Sequence, residues 1–259
     1  MPMNGGLYLY CVCRSTGKNP FEGKLQLKGL GGQEVSLIQD RDLVAIVQEC
    51  AGPFSSQDPK QISEWVLTHQ SVVDEAWKKY GNVIPFSFDT IIVPKEGCPA
   101  MENLIQWIRS EGTSLKEKLD RLEGKAEYGI QVSWDPKIVA PKVIRHDVEI
   151  QGLEDKIRSG GEGTAYLLDQ KRQEVLRRRL EIAADAYFKE FYEKIRGVVE
   201  EVRVDKARKE EPPMLMNLSC LLPKIDSPRL GEELNRIGRI EGFFVRFTGP
   251  WPPYSFVNR

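Results

Sequence analysis

The chain has 259 residues, with 37 Lys and Arg against 38 Asp and Glu, so its formal net charge is −1. A balance this close to zero excludes a whole-molecule electrostatic grip on nucleic acid or anionic lipid, while leaving room for a local patch. Hydrophobic residues make up 41% and charged residues 29%, the proportions of a folded chain, and the length suits one large domain or two ordinary ones.

The N-terminus MPMNGGLYLY lacks a basic stretch followed by a long apolar one, so no signal peptide is expected. No apolar run approaches the roughly 18 residues that span a bilayer, and a membrane is therefore not an expected partner. Cys11, Cys13, Cys50, Cys98 and Cys220 are odd in number and scattered, which suits a reducing cytoplasm better than a disulfide framework.

Taken in chain order, GLYLYCVC (6–13) reads as a buried first strand, followed by a loop containing Gly, Pro and Asn. EVSLIQ and DLVAIVQEC read as two further strands separated by the turn-like Asp40-Arg41-Asp42. Asp58-Pro59 then has the N-cap and first-position order that starts helices. From there Ile62, Trp65, Val66, His69, Val72, Val73, Ala76, Trp77 and Tyr80 recur at three- and four-residue steps up to Gly81. That spacing predicts an amphipathic helix of about 33 Å with one apolar face for a sheet.

VIPFSFDTIIV (83–93) alternates as a strand, with Pro85 at its start, edge or a bulge. A helix is expected from about 98 to 122, notched at Gly112, and AEYGIQVSW (126–134) as a closing strand. The order predicts an α+β first domain, a ferredoxin-like antiparallel sheet with helices on one face, over residues 1–137. Pro136 and Pro141 mark the passage to a second α+β domain, 138–259. SGGEG (159–163) reads as a flexible loop before a long helix at about 164–203, whose apolar stripe includes Leu176, Tyr187, Phe191 and Ile195. A strand at 214–222, a polar helix at about 229–239, a strand at 243–248 and a proline-rich tail at 249–259 complete the chain.

Little in the sequence carries catalytic or cofactor chemistry. His69 lies on an apolar helical stripe and reads as a hydrogen-bonded structural residue; His146 lies among charges. Cys11 and Cys13 share a strand face without a second Cys pair or a nearby His, so they read as core thiols, not a zinc site. GLGGQE and SGGEGTAY do not form a phosphate-binding fingerprint, and the paired glutamates at 200–201, 210–211 and 232–233 read as solvated faces. No catalytic, cofactor or metal residues are assigned. An alternative reading is a nucleic-acid-binding module: Tyr8 and Tyr10 share a strand face, as base-stacking aromatics do, and Arg177-Arg178-Arg179 adds a basic run. No RNP1-like sequence accompanies them, and core or subunit packing is the preferred role for the tyrosines.

Several segments resemble the GvpF/GvpL family of gas vesicle proteins. LYLYCV resembles its opening strand, VIPFSFDTII its VLPxxFGT segment, RLEGKAEYGIQV its LEGKxEWxVxV segment, and GGEGTAYL its GxGxAYL entry to a long helix. FTGPWPPYSFV closely matches its terminal GPWPPYSF signature, and the whole set runs in the same order from residue 7 to 257. Asp89 stands where Gly is common, and Tyr128 where Trp is common. The resemblance implies a minor structural or assembly protein of gas vesicles, the buoyancy organelles, in contact with the hydrophobic shell protein and other accessory proteins, and not an enzyme.

Five aromatics are the candidate partner-binding residues. Trp251, Tyr254 and Phe256 either anchor a polyproline-like tail stiffened by Pro250, Pro252 and Pro253, or present a contact surface. Phe86 and Phe88, expected on one face of their strand, are likewise either core or contact.

Overall fold

A computed structural model describes residues 5–15, 28–95 and 97–257. The Gly/Pro/Asn loop expected after the first strand lies mostly outside the described residues. Two compact units form, one from 1–127 with 250–259, the other from 128–249. This division differs from the expected 1–137 and 138–259 at both ends. The first unit ends ten residues earlier, and the proline-rich tail belongs to it and not to the second.

The first unit is built on a sheet in the order β2-β3-β1-β4, with β5 also paired to β1; β1 is Gly6–Arg14, β2 Ser36–Asp40, β3 Leu43–Cys50, β4 Val83–Pro85 and β5 Ile91–Ile92. Its pairings are antiparallel. Strand β1 is central and apolar on both sides because both sides are covered. Leu7, Leu9 and Val12 join a core cluster with Leu104, Ile108, Leu115 and Leu119 of helix α2 (Ala100–Leu122). Tyr8 and Tyr10 face His69 of helix α1 (Pro59–Tyr80) instead. The α+β class is as expected, but the two helices lie on opposite faces of the sheet and not on one.

A register shift between Leu9 and Cys11 lets β1 change its alternation at Tyr10. An extra residue in one strand of a pair reverses which side the following side chains take. Tyr8 and Tyr10 therefore share the α1 face with Cys11 and Cys13, which stand beside Tyr80, while Val12 returns to the α2 cluster. The segment expected as one strand over 83–93 is broken, since Pro85 ends β4 and a turn occupies 87–90 before β5. Gly112 leaves α2 uninterrupted.

The second unit carries a four-stranded sheet in the order β7-β8-β6-β9, with β6 Lys125–Trp134, β7 Glu201–Val204, β8 Met214–Pro223 and β9 Phe243–Trp251. Helices α3 (Pro136–Ile144) and α4 (Val148–Ser159) precede α5, Glu162–Arg196, and α6 is Ser227–Gly238. Phe191 and Ile195 of α5 are fully buried, and Phe191 meets Phe243 of β9 edge-on at 5.1 Å. Val175 of the same helix packs with Ile150 and Leu153 of α4. The long helix starts two residues before the expected 164 and ends at 196, not 203; the chain beyond it turns into β7.

Candidate partner-binding site

Helix α1 begins where Asp58 Oδ1 accepts a hydrogen bond from the backbone N–H of Lys60 at 2.9 Å, with Pro59 at the first helical position. At 100° per residue, Ile62, Val66, His69 and Val73 fall within an arc of about 60° on one side of the rod. The stripe is buried from His69 onward, where it meets the tyrosine face of β1. Its first two turns are not covered. Ile62 is 40% exposed and Val66 41% exposed, so the apolar face expected to lie on the sheet outruns the sheet.

Below that exposed stretch is a buried polar knot. Nε2 of His69 lies 3.1 Å from the carbonyl of Phe86, which can only accept, so Nε2 carries the proton. Nδ1 must then accept, and the Tyr8 hydroxyl 2.8 Å away donates to it. The same hydroxyl accepts from the backbone N–H of Asp89 at 3.0 Å. Burial pushes the His69 pKa down to about 4, against a weaker opposing effect of the Phe86 carbonyl, so the ring is neutral at pH 7. Tyr10 donates to Gln48 Oε1 at 2.5 Å and accepts from the N–H of Leu30, while Gln48 Nε2 donates to the carbonyl of Leu30. Burial raises the Tyr10 phenol to about 12 and the Tyr8 phenol higher still. Both tyrosines are fully buried. The base-stacking platform weighed for nucleic acid is therefore not on the surface, and the two rings are core.

The tail is fastened beside this knot. Ser255 donates to Glu127 twice, from its backbone N–H at 2.8 Å and from its hydroxyl at 2.7 Å. Arg121 donates to the carbonyl of Phe256, and Val257 enters the α2 core cluster. Tyr254 lies on the other side, its ring 6.4 Å from that of His69. A short open cleft of about 370 Å³ results, lined by Val66, His69, Gln70, Ser87, Phe88, Glu127, Trp251, Pro252 and Tyr254.

The cleft brings together three of the five expected aromatics: Trp251, Tyr254 and Phe88. Trp251 is 38% exposed, and Phe88 also packs against Tyr8 and His69. Phe256 is 1% exposed and serves as an anchor. Phe86 lies elsewhere, edge-on to Trp107 at 5.7 Å in the α2 layer. Phe86 and Phe88 thus point to opposite layers, because both follow the end of β4 and are not on one strand face. Sequence reasoning missed Val66 as a surface residue; nothing in its helical spacing separates a covered stripe from an overhanging one.

Other sequence-level candidates resolve plainly. Cys11 and Cys13 are buried, with Cys11 pushed well above the usual thiol range by burial, and His146 is exposed. The SGGEG loop is short: α4 ends at Ser159 and α5 starts at Glu162, with the Thr164 and Ala165 amides bonded to the Gly161 carbonyl. Among the described residues no group of three or more His, Cys, Asp or Glu is placed to hold a metal ion, and no helix is long and apolar enough to cross a membrane.

Residues 6–258 match the family described as gas vesicle synthesis protein GvpL/GvpF. The chain belongs to that family. It is 28% identical to gas vesicle protein L2 of Halobacterium salinarum, over 98% of this chain and 92% of the relative. It is 25% identical to gas vesicle protein F of a Streptomyces species, over 97% and 99%. The fold is similar to the crystal structures of GvpF from Anabaena sp. PCC7120 (TM-score 0.69, 18% identity, covering 98% of this chain and 97% of that one) and from Microcystis aeruginosa (TM-score 0.67, 17% identity, 98% and 99%). As a GvpL/GvpF member it is a gas vesicle protein. Its two departures from the family pattern both keep the local structure. Asp89 holds the positive φ of 65° that a Gly would adopt freely, and its Oδ1 accepts from the N–H of Phe54 at 2.9 Å. Tyr128 stacks on Phe247 at 5.4 Å.

Proposed function

We propose that this chain is a minor structural or assembly component of the gas vesicle, acting by contact with the hydrophobic shell protein and with other accessory proteins. The observation that carries the reading is the family match over 6–258, nearly the whole length. The physical need is clear: a shell subunit must hide an apolar face from water until it packs, and exposed apolar patches and strand edges aggregate. A protein offering a largely apolar cleft, with Glu127 as the one acidic residue among the described residues of its lining, fits that need better than a highly charged one.

The test is to remove this chain from a gene set that forms vesicles and to restore it, following pressure-sensitive turbidity of the cells. The reading expects turbidity to be lost and then regained. Undiminished, pressure-collapsible vesicles in its absence would remove the assembly role.

A further inference from the structure

Helix α1 carries its apolar stripe past the sheet that covers it. Ile62 and Val66 stand half-exposed one turn apart, about 6 Å along the axis. Val66 also forms a wall of the cleft whose other walls include Phe88, Trp251 and Pro252. The cleft and the bare turns of α1 are therefore one continuous apolar groove within the first unit. We infer that this groove, Ile62 and Val66 with Phe88 and Trp251, seats an amphipathic helical segment of a partner protein that inserts two large apolar side chains spaced one turn apart. The inference rests on the reading above, that the chain works through protein contacts, and gives that contact a place and a chemistry.

Four observations select this occupant. The first is size: a cavity of about 150 Å³ accepts a benzene ring, so about 370 Å³ accepts two large apolar side chains. Area is the second. The exposed apolar strip rests on three residues, Ile62, Val66 and Trp251 at 40%, 41% and 38% exposure, the width of one helix face and narrower than the roughly 20 residues a side of a typical folded-dimer interface. Charge is the third. His69 is neutral, Gln70 and Ser87 are uncharged, and both oxygens of Glu127 are engaged by Ser255. An acidic side chain entering there would lose water and meet the like charge of Glu127, and a basic one would compete with the Ser255 bonds that already satisfy that carboxylate, so apolar side chains fit best. The fourth is backbone chemistry. One wall is a helix, whose interior N–H and C=O groups are already bonded within it, so an extended peptide finds no strand edge on that wall. A helical occupant satisfies its own backbone and needs only side-chain fit.

The test uses the full chain and, as probes, the intact vesicle shell protein and peptides of about 20 residues tiling its sequence, long enough to become helical when bound. Binding is read by anisotropy and helicity by circular dichroism. Val66→Asp and Trp251→Ala are compared with Leu67→Asp, which lies at a more exposed position on another side of α1; a single cooperative melt well above the assay temperature shows that each variant is folded. The inference expects at least one peptide to bind and gain helicity. Val66→Asp and Trp251→Ala should each weaken it by about tenfold or more, and Leu67→Asp by less than about twofold. A bound peptide indifferent to both groove variants, or equally well bound after a central Pro is introduced, overturns the groove while leaving shell binding intact. Failure of the wild-type chain to bind the intact shell protein at all removes the proposed contact itself, and this inference with it.

Discussion

The hydroxyl of Tyr8 donates to Nδ1 of His69 across 2.8 Å, joining the first strand to the middle of helix α1 over 61 residues of sequence. Its second role, accepting from the amide of Asp89, fixes the turn that precedes β5. One phenol thus ties three segments around the wall of the groove.

Removing that oxygen isolates its contribution. Tyr8→Phe leaves the buried Nδ1 of His69 without its partner, a loss of about 1–3 kcal/mol, while the part-buried amide of Asp89 can turn to water at smaller cost. The chain is expected to lose about 2 kcal/mol, seen as a lower urea midpoint with unchanged slope. A midpoint equal to wild type would mean the knot is not strained by the loss and contributes little.

The same ring makes the fold acid-sensitive. The folded state holds His69 at about 4, against an ordinary value near 6.5, so it is the unfolded chain that takes up a proton first as the pH falls. Stability from this residue is present above about pH 6.5 and is lost between there and pH 4, amounting to roughly 3 kcal/mol. Urea unfolding at pH 7, 5 and 4 should show the decline, and His69→Gln should flatten it over that window. A parallel decline in the variant would assign the acid sensitivity to carboxylates instead.

Much of this arrangement was legible in the sequence, and the misses have particular causes. Asp58-Pro59 and the stripe from Ile62 to Tyr80 locate α1 to within a residue, and Gly81 ends it as expected, with a φ of 77°. Asp135-Pro136 has the same signature and starts α3, with Asp135 Oδ1 accepting from the N–H of Lys137, although in the sequence Pro136 and Pro141 read as punctuation between domains. Asp147 caps α4 in the same way, bonding the amide of Ile150, and that helix was not foreseen either. The layer occupied by Phe86 and by Phe88 depended on where β4 stops, and the allegiance of the tail depended on a contact 128 residues away, between Glu127 and Ser255. Local pattern carries neither kind of information.

Asp89 offers a backbone prediction. Its φ of 65° is disfavoured for residues with a Cβ, while its carboxylate holds the amide of Phe54. Asp89→Ala keeps the strain and loses the bond, and should cost about 1–2 kcal/mol. Asp89→Gly loses the bond but relieves the strain, and should lie close to wild type. Thermal melting ranks the two; an Ala variant as stable as the Gly variant would show that the turn does not demand positive φ.

The tail is an integral part of the first unit and not an appendage. Phe256→Ala removes a fully buried ring and should destabilise that unit by about 3–5 kcal/mol. Trp251→Ala removes a ring that is 38% exposed and should cost less, about 1–2 kcal/mol, while impairing partner binding. Equal destabilisation by the two would make Trp251 an anchor like Phe256.

The central claim is an apolar contact with the vesicle shell, and co-sedimentation with the purified shell protein from about 0.1 to about 1 M salt tests it most directly, because salt at the upper end screens charges within about 3 Å. The account predicts that the chain sediments with the shell protein and stays bound across the series. Association that disappears as the salt rises, or no association at any salt, would contradict it.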